Sequence, residues 1–178
     1  KVPTVLYPLL MTVSNSASFW IVTPVLLIGL IVLYKVRGLA IFGIYGISHV
    51  LELFLKTVLH QPGPPFLFHK VYETLSFNID YVVPGSSYPS GHSFRAVFLS
   101  IMIGWVILSS KKRSWKFQYT AILLLGLYSL AVILSKVTFG EHWPTDVVGG
   151  AMLGASFGLI SVYFFLSSLS KRKIFTPK

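Results

Sequence analysis

The chain has no cysteine and little charge, above all few acidic residues. The absence of cysteine excludes a disulfide scaffold, a thiolate metal site and a cysteine nucleophile. Charged residues make up 11% of the 178 residues, whereas a soluble domain has about 25%. Hydrophobic residues make up 54%, more than a soluble fold of this length could bury. The composition therefore predicts a protein whose solvent is largely the lipid bilayer.

Five stretches of the chain are apolar and long enough to cross a bilayer as helices, which takes about 20 mostly apolar residues each. They predict an all-α fold, a polytopic transmembrane helix bundle that forms a single domain over residues 1–178. The residues before Phe19 are interrupted by Pro3 and Pro8, and we interpret them as an interfacial helix or a partial span. The five predicted spans are residues 19–34, 39–59, 91–108, 119–137 and 146–169.

The chain has a net charge of +10, and the positions of its basic residues indicate how these spans are oriented. Three basic clusters lie in alternate connections and after the fifth span, so all of them fall on one side of the membrane. The positive-inside rule assigns that side to the cytoplasm. No contiguous basic groove indicates a nucleic-acid partner. The clusters are Lys35 and Arg37; Lys111, Lys112, Arg113 and Lys116; and Lys171, Arg172, Lys173 and Lys178.

The opposite side carries the 60–90 loop and the short 138–145 connection, which places both outside the cytoplasm. We therefore expect an integral protein of the cell (inner) membrane whose functional face is extracytoplasmic. With this orientation Lys1 also lies outside. A further helix before Lys1 in the full-length protein would return its N-terminus to the cytoplasm, and we predict such a helix, which gives six spans in all.

Three polar clusters lie at the outer ends of the predicted spans, where the alternation of spans brings them to one membrane face. The first is Lys56 with residues 60–64, the second is residues 88–93, and the third is residues 135–146. In the second cluster Ser90 and Gly91 open a helix, and the free N–H groups of a helix N-terminus favour an anion such as phosphate. His92 would lie in the first turn, facing that anion. The motif alone would also fit a capped helix and nothing more.

In the third cluster His142 and Asp146 are four residues apart, so one helical turn can bring them together. A carboxylate that binds one ring nitrogen makes the other nitrogen a better nucleophile. Taken alone, the pair also fits a helix cap beside a loop histidine. Lys136 and Lys56 at a similar depth favour a functional site, because ionisable residues within membrane segments are usually functional.

Together the clusters resemble the pattern of the type 2 phosphatidic acid phosphatase superfamily, in its membrane lipid phosphatase branch. That pattern is Lys-x6-Arg-Pro, then Pro-Ser-Gly-His, then Ser-Arg-x5-His-x3-Asp. Order and spacing agree over about half of the chain, with glycine and lysine in place of the two arginines. The matching residues are Lys56-x6-Gly63-Pro64, Pro89-Ser90-Gly91-His92 and Ser135-Lys136-x5-His142-x3-Asp146.

The resemblance implies a role for each matching residue. His142 would be the nucleophile that forms a phosphohistidine, Asp146 would orient it, and His92 would be the general acid. The family needs no metal and no cofactor. Because Gly63 removes a cation from the pattern, Arg95 and the loop residue Lys70 are candidate replacements. The residues expected to hold the phosphoryl oxygens are Lys56, Ser90, Gly91 through its N–H, Lys136 and Arg95.

Other polar and small residues are interpreted as structural. His49, Glu52 and Lys56 share one face of the second span, where Glu52 can pair with Lys56 or His49 and make a buried charge tolerable. His60 and His69 are interpreted as solvated or interfacial side chains of the loop. The small residues of the fifth span favour close helix packing: Gly149, Gly150, Ala151, Gly154, Ala155 and Gly158.

The sequence therefore predicts a membrane phosphatase that acts on a lipid phosphate or pyrophosphate, with membrane lipids around it. Undecaprenyl pyrophosphate, phosphatidylglycerol phosphate, phosphatidic acid and lipid A phosphate all fit. A lipid phosphotransferase is a close variant, in which an acceptor hydroxyl replaces water. A catalytically impaired lipid-binding or scaffold protein is the alternative from another class, and Gly63 favours it. A channel or transporter fits less well, because the polar groups gather at one face.

Overall fold

The computed structural model describes residues 4–68 and 86–174, and helices account for nearly all of that part of the chain. No strand occurs among the described residues. Short 3-10 turns at Thr4–Leu6 and Phe66–Phe68 accompany six α-helices. In chain order these are α1 (Tyr7–Ser16), α2 (Phe19–Tyr34), α3 (Val36–Leu59), α4 (Gly91–Leu108), α5 (Trp115–Thr138) and α6 (Pro144–Ile174).

Helices α3, α4, α5 and α6 are each long and apolar enough to cross a membrane. Helix α2 has 16 residues, or about 24 Å at 1.5 Å per residue, which is short of a hydrocarbon core of about 30 Å. Helices α1 and α2 meet at a bend of 49° and together pass as one broken span. Counted in this way, the prediction of five spans is confirmed, and the residues before Phe19 are the partial span that the sequence suggested.

Three helices begin earlier than the hydropathy pattern predicts, and the first of them is α3, which starts at Val36. Helix α5 starts at Trp115, because the Ser114 side chain accepts a hydrogen bond of 3.3 Å from the Phe117 N–H and caps the helix. Helix α6 starts at Pro144, whose fixed backbone angle suits the first turn of a helix. The earlier start of α6 places Asp146 within the first helical turn.

Helix α6 packs closely on α4 because it carries glycine at the points of contact. A Cβ atom at Gly150 would overlap the backbone of Ser90, and one at Gly154 would overlap the backbone of Phe94. The prediction that small residues in the last span serve helix packing is confirmed. This contact brings the first turns of the two helices together, and the Ser90 N–H donates a hydrogen bond of 2.9 Å to the Asp146 carbonyl.

The apolar side chains divide between a buried cluster and an outward face. Tyr45, Phe94 and Phe98 are fully buried and pack together where α3 meets α4. Large apolar side chains on the outer surfaces of the helices are well exposed, among them Val50 and Leu123. Such a surface is stable in hydrocarbon, so the outward face of the bundle is the one that contacts lipid.

Candidate active site

The three polar clusters of the sequence meet at one end of the bundle, as the alternation of spans predicts. Lys56, in the last turn of α3, donates a hydrogen bond of 2.9 Å to the carbonyl of Pro89, which precedes α4. The Ser90 N–H binds the Asp146 carbonyl on α6. Gln61, just after α3, donates to Asp146 Oδ1 at 2.9 Å. Hydrogen bonds therefore join all three clusters directly.

His142 and Asp146 form the pair that their spacing predicts. His142 Nδ1 lies 3.5 Å from Asp146 Oδ2, and the same oxygen accepts a 2.9 Å hydrogen bond from the Trp143 N–H. The Asp146 side chain is fully buried, whereas that of His142 is 15% exposed. The carboxylate is thus held in place, and the opposite ring nitrogen, Nε2, is the one that can reach a substrate.

Gln61 is a site residue that the sequence reasoning missed. Its side-chain amide donates to Asp146 Oδ1 and also lies 3.3 Å from Thr145 Oγ1. Its backbone carbonyl accepts a hydrogen bond from the Ser87 N–H at 2.8 Å. Beside it, the Trp143 indole N–H donates to the Pro62 carbonyl at 3.0 Å. These bonds fix the segment after α3 against the start of α6, and they orient the carboxylate from the side opposite His142.

The start of α4 supplies the predicted anion-binding geometry. Ser90 occupies the N-cap position and is fully buried, but its hydroxyl accepts from the Ser93 hydroxyl at 3.3 Å and does not cap its own helix. A Cβ atom at Gly91 would overlap the side-chain ends of Glu52 and Arg95, so a larger residue there would displace those two groups. The start of a helix favours an anion, because its first N–H groups point out of the helix and the helix dipole is positive there.

His92 lies near several basic groups. It is buried, and the side chains close enough to act on its charge are Lys136, Arg95, His142 and Lys56. These residues come from α3, α4, α5 and the segment before α6. A concentration of positive charge of this kind, next to a helix N-terminus, is suited to a phosphate group.

Behind Gly91 lies a buried ionic network around Glu52, whose side chain is 4% exposed. Glu52 Oε2 lies 3.0 Å from His49 Nδ1 and 3.8 Å from a terminal nitrogen of Arg95, and Oε1 lies 4.0 Å from Lys56 Nζ. The predicted pairing of Glu52 with His49 and Lys56 is confirmed. Arg95 also donates from Nε to the Ala17 carbonyl at 2.9 Å, so direct contact between Arg95 and a phosphate stays a prediction.

Lys136 lies in the last turn of α5 and is almost completely buried, with 3% of its side chain exposed. Its Nζ donates a 2.6 Å hydrogen bond to Glu141 Oε2. The sequence analysis gave no role to Glu141. The signal that could have identified it is Gly140, whose φ of 73° allows the tight turn that brings residue 141 back to Lys136.

Gly63, which stands where the family pattern has arginine, lies beside the same turn. A Cβ atom there would be 3.5 Å from the Ser87 Cβ and 4.0 Å from the Glu141 carbonyl oxygen, which is ordinary contact. His60 is exposed, as the sequence suggested, with Nδ1 3.0 Å from the Val58 carbonyl. Most of the 60–90 loop, including His69 and Lys70, lies outside the described residues.

Comparison with known proteins supports, over most of the chain, the family resemblance that the motifs indicate. The family model described as the PAP2 superfamily matches residues 37–169. The chain is 25% identical to the undecaprenyl-diphosphatase BcrC of Bacillus subtilis over 122 residues, which is 68% of this chain and 55% of that protein. It is 30% identical to an undecaprenyl-diphosphatase of Sulfolobus acidocaldarius over 126 residues, 70% of this chain and 53% of that protein. The chain thus spans about half the length of the curated relatives that it matches.

Solved structures share the fold. A transmembrane PAP2-type phosphatidylglycerolphosphate phosphatase from Bacillus subtilis superposes with a TM-score of 0.75 at 22% identity, covering 93% of this chain and 79% of that chain. LpxE of Aquifex aeolicus superposes with a TM-score of 0.64, also at 22% identity, covering 91% and 88%. The bundle of membrane helices is therefore that of an integral membrane protein.

Proposed function

Because the chain belongs to the PAP2 superfamily, we propose that it is a membrane phosphatase that removes phosphate from a lipid phosphate or pyrophosphate through a phosphohistidine intermediate. The observation that carries the proposal is that hydrogen bonds bring Lys56 and the start of α4, with His92, to the end of the bundle where His142 lies against the buried carboxylate of Asp146. The relatives that the chain matches include diphosphatases and a phosphatidylglycerophosphatase.

In the proposed first step, His142 Nε2 attacks phosphorus while the bond between phosphorus and the leaving oxygen breaks. His92 donates a proton to that oxygen, and Asp146 stabilises the charge that develops on the His142 ring. In the second step water attacks the phosphohistidine, His92 takes the proton of the water, and inorganic phosphate leaves. His142 and His92 thus divide the roles of nucleophile and acid–base.

The proposed phosphate ligands would hold the phosphoryl group whose phosphorus atom His142 Nε2 attacks. Lys56 and Lys136 supply ammonium groups, and Ser90 and the Gly91 N–H supply hydrogen bonds from the start of α4. Arg95 adds positive charge from behind Gly91. Fixed donors of this kind stabilise the charge on the equatorial oxygens of a transferring phosphoryl group.

A lipid substrate suits the position of the site at the end of membrane helices. By the positive-inside rule this end is extracytoplasmic, opposite the connections that carry Lys35 and Lys112, and the membrane is the cell (inner) membrane. An apolar cavity of about 440 Å³ lies between α4, α5 and α6, lined from Val97 to Leu108 on α4. Val97 follows His92 by about 7.5 Å of helix, so this cavity is a candidate position for an acyl or isoprenoid tail.

The test is a phosphate-release assay with the purified protein in detergent, without added metal. The panel consists of undecaprenyl pyrophosphate, phosphatidylglycerol phosphate, phosphatidic acid and lipid A phosphate. Release from at least one lipid is expected, and a chelator should leave the rate unchanged. Absence of release from every lipid would favour the scaffold alternative, in which a phosphatase fold binds lipid without turnover.

Restoring the arginine of the family pattern should increase the rate. We expect Gly63→Arg to raise kcat/KM about tenfold, less than the hundredfold typical of removing an evolved donor, because its neighbours are not arranged to hold it. A Cβ atom at position 63 makes only ordinary contacts, so the backbone there has room for the start of a side chain. Gly63→Gln is the matched control, because it adds a side chain without charge and should stay at the wild-type rate. Equal rates for the two variants would mean that the missing cation does not limit catalysis.

A further inference from the structure

The ion pair between Lys136 and Glu141 joins a buried cation to a carboxylate at the rim of the site. The side chain of Lys136 is 3% exposed and that of Glu141 is 40% exposed. The backbone holds the pair together, because the N–H groups of Glu141 and His142 both donate to the Lys136 carbonyl, at 3.1 and 3.2 Å. The carboxylate is therefore attached to the turn that presents the nucleophile.

A carboxylate and a phosphate compete for the same ammonium group. Both are anionic oxygen acceptors for Lys136 Nζ, and two like charges on one ammonium repel each other across a few ångströms of partly buried space. Glu141 is the only residue in a salt bridge with Lys136 in the described part of the chain. Its exposure gives it a path into water, whereas Lys136 has none, so the carboxylate is the group that moves when a phosphate arrives.

We propose that Glu141 is an internal competitor of phosphate for Lys136, which weakens the binding of phosphate and assists release of the product. The proposal rests on the proposed function, because it takes Lys136 to be a phosphate ligand. A site that is occupied by a competitor cannot bind its ligand, so its apparent affinity falls in proportion to the fraction of time that it is occupied. In this site that fraction is the time that Glu141 occupies Lys136, and after hydrolysis the same carboxylate returns to displace inorganic phosphate.

Calorimetric titration of the purified full chain in detergent with inorganic phosphate tests the proposal. Glu141→Gln removes the charge and keeps the shape, and it should lower the Kd for phosphate about fivefold. Glu141→Asp keeps the charge but shortens the side chain by about 1.5 Å, so it should also bind phosphate more tightly than wild type. A gain in affinity is a result that structural damage does not produce.

Two results would overturn the competition. Unchanged or weaker phosphate binding by Glu141→Gln would mean that Glu141 orients Lys136 for the substrate. Tighter binding by Glu141→Gln together with wild-type binding by Glu141→Asp would mean that the charge acts as a general field and not through the ion pair. The titration needs no lipid turnover, so an inactive lipid panel with the expected change in Kd would count against the phosphatase and not against the competition. A third result, failure of all three proteins to bind phosphate, would remove the premise that Lys136 is a phosphate ligand, while lipid turnover remains the test of the phosphatase.

Discussion

The variant His142→Asn should lose phosphate release from its lipid substrate by at least about a thousandfold, because removal of a covalent nucleophile leaves only binding and electrostatic stabilisation. The ring is 15% exposed and lies 3.5 Å from a fully buried carboxylate, so the substitution removes an imidazole that is both oriented and accessible. Asparagine keeps a polar group near Asp146 and should leave the fold intact. The measurement is the initial rate of phosphate release by the purified variant.

His60→Asn is the matched control for this loss. His60 lies at the same end of the bundle, is exposed and has a left-handed backbone with φ of 40°, which asparagine tolerates. It should retain the wild-type rate. A second measurement follows the intermediate: brief exposure to labelled substrate should leave an acid-labile, base-stable phosphoryl group on wild type and none on His142→Asn. Equal rates for His142→Asn and wild type would exclude the phosphohistidine mechanism.

Local spacing was sufficient to predict the parts of the site that lie within one helix or turn. The four-residue spacing of His142 and Asp146 predicted their pairing, and a helix start predicted the position of Ser90. The same reasoning identified Glu52 with its partners on α3, because residues three and four apart share a helix face. The number of spans followed from hydropathy, since a membrane segment must be apolar over a fixed length.

Contacts between distant segments could not be predicted in the same way. Gln61 and Asp146 are 85 residues apart in the chain, and the packing of α3 against α6 brings them together. Arg95 was chosen as a phosphate ligand from its position one turn after Gly91, but spacing does not give the direction of a side chain. In the fold that side chain reaches Glu52 on α3 and the break between α1 and α2, elements whose approach the sequence does not encode locally.

Arg95→Met and Lys56→Met should both reduce kcat/KM about a hundredfold, which is the typical effect of removing a charged donor from a phosphate site. The reasons for the two losses differ. Lys56 is the proposed ligand of the phosphoryl oxygens. Arg95 lies 3.8 Å from Glu52, and without it that buried carboxylate keeps only His49 and Lys56 as its charged partners in the described part of the chain. We expect Glu52 then to draw Lys56 away from the substrate, since a buried charge that loses a partner is strongly unfavourable.

The double variant Arg95→Met with Glu52→Gln separates this indirect role from direct phosphate binding. If Arg95 acts by neutralising Glu52, removing the carboxylate should return kcat/KM to within about tenfold of wild type, as expected when a charge and its partner are removed together. If Arg95 binds the phosphate itself, as the resemblance suggests, Glu52→Gln should restore nothing. Size-exclusion profiles in detergent establish that each variant is folded. Near-normal activity of Arg95→Met alone would exclude both roles and leave Lys70 as the candidate replacement for the missing arginine.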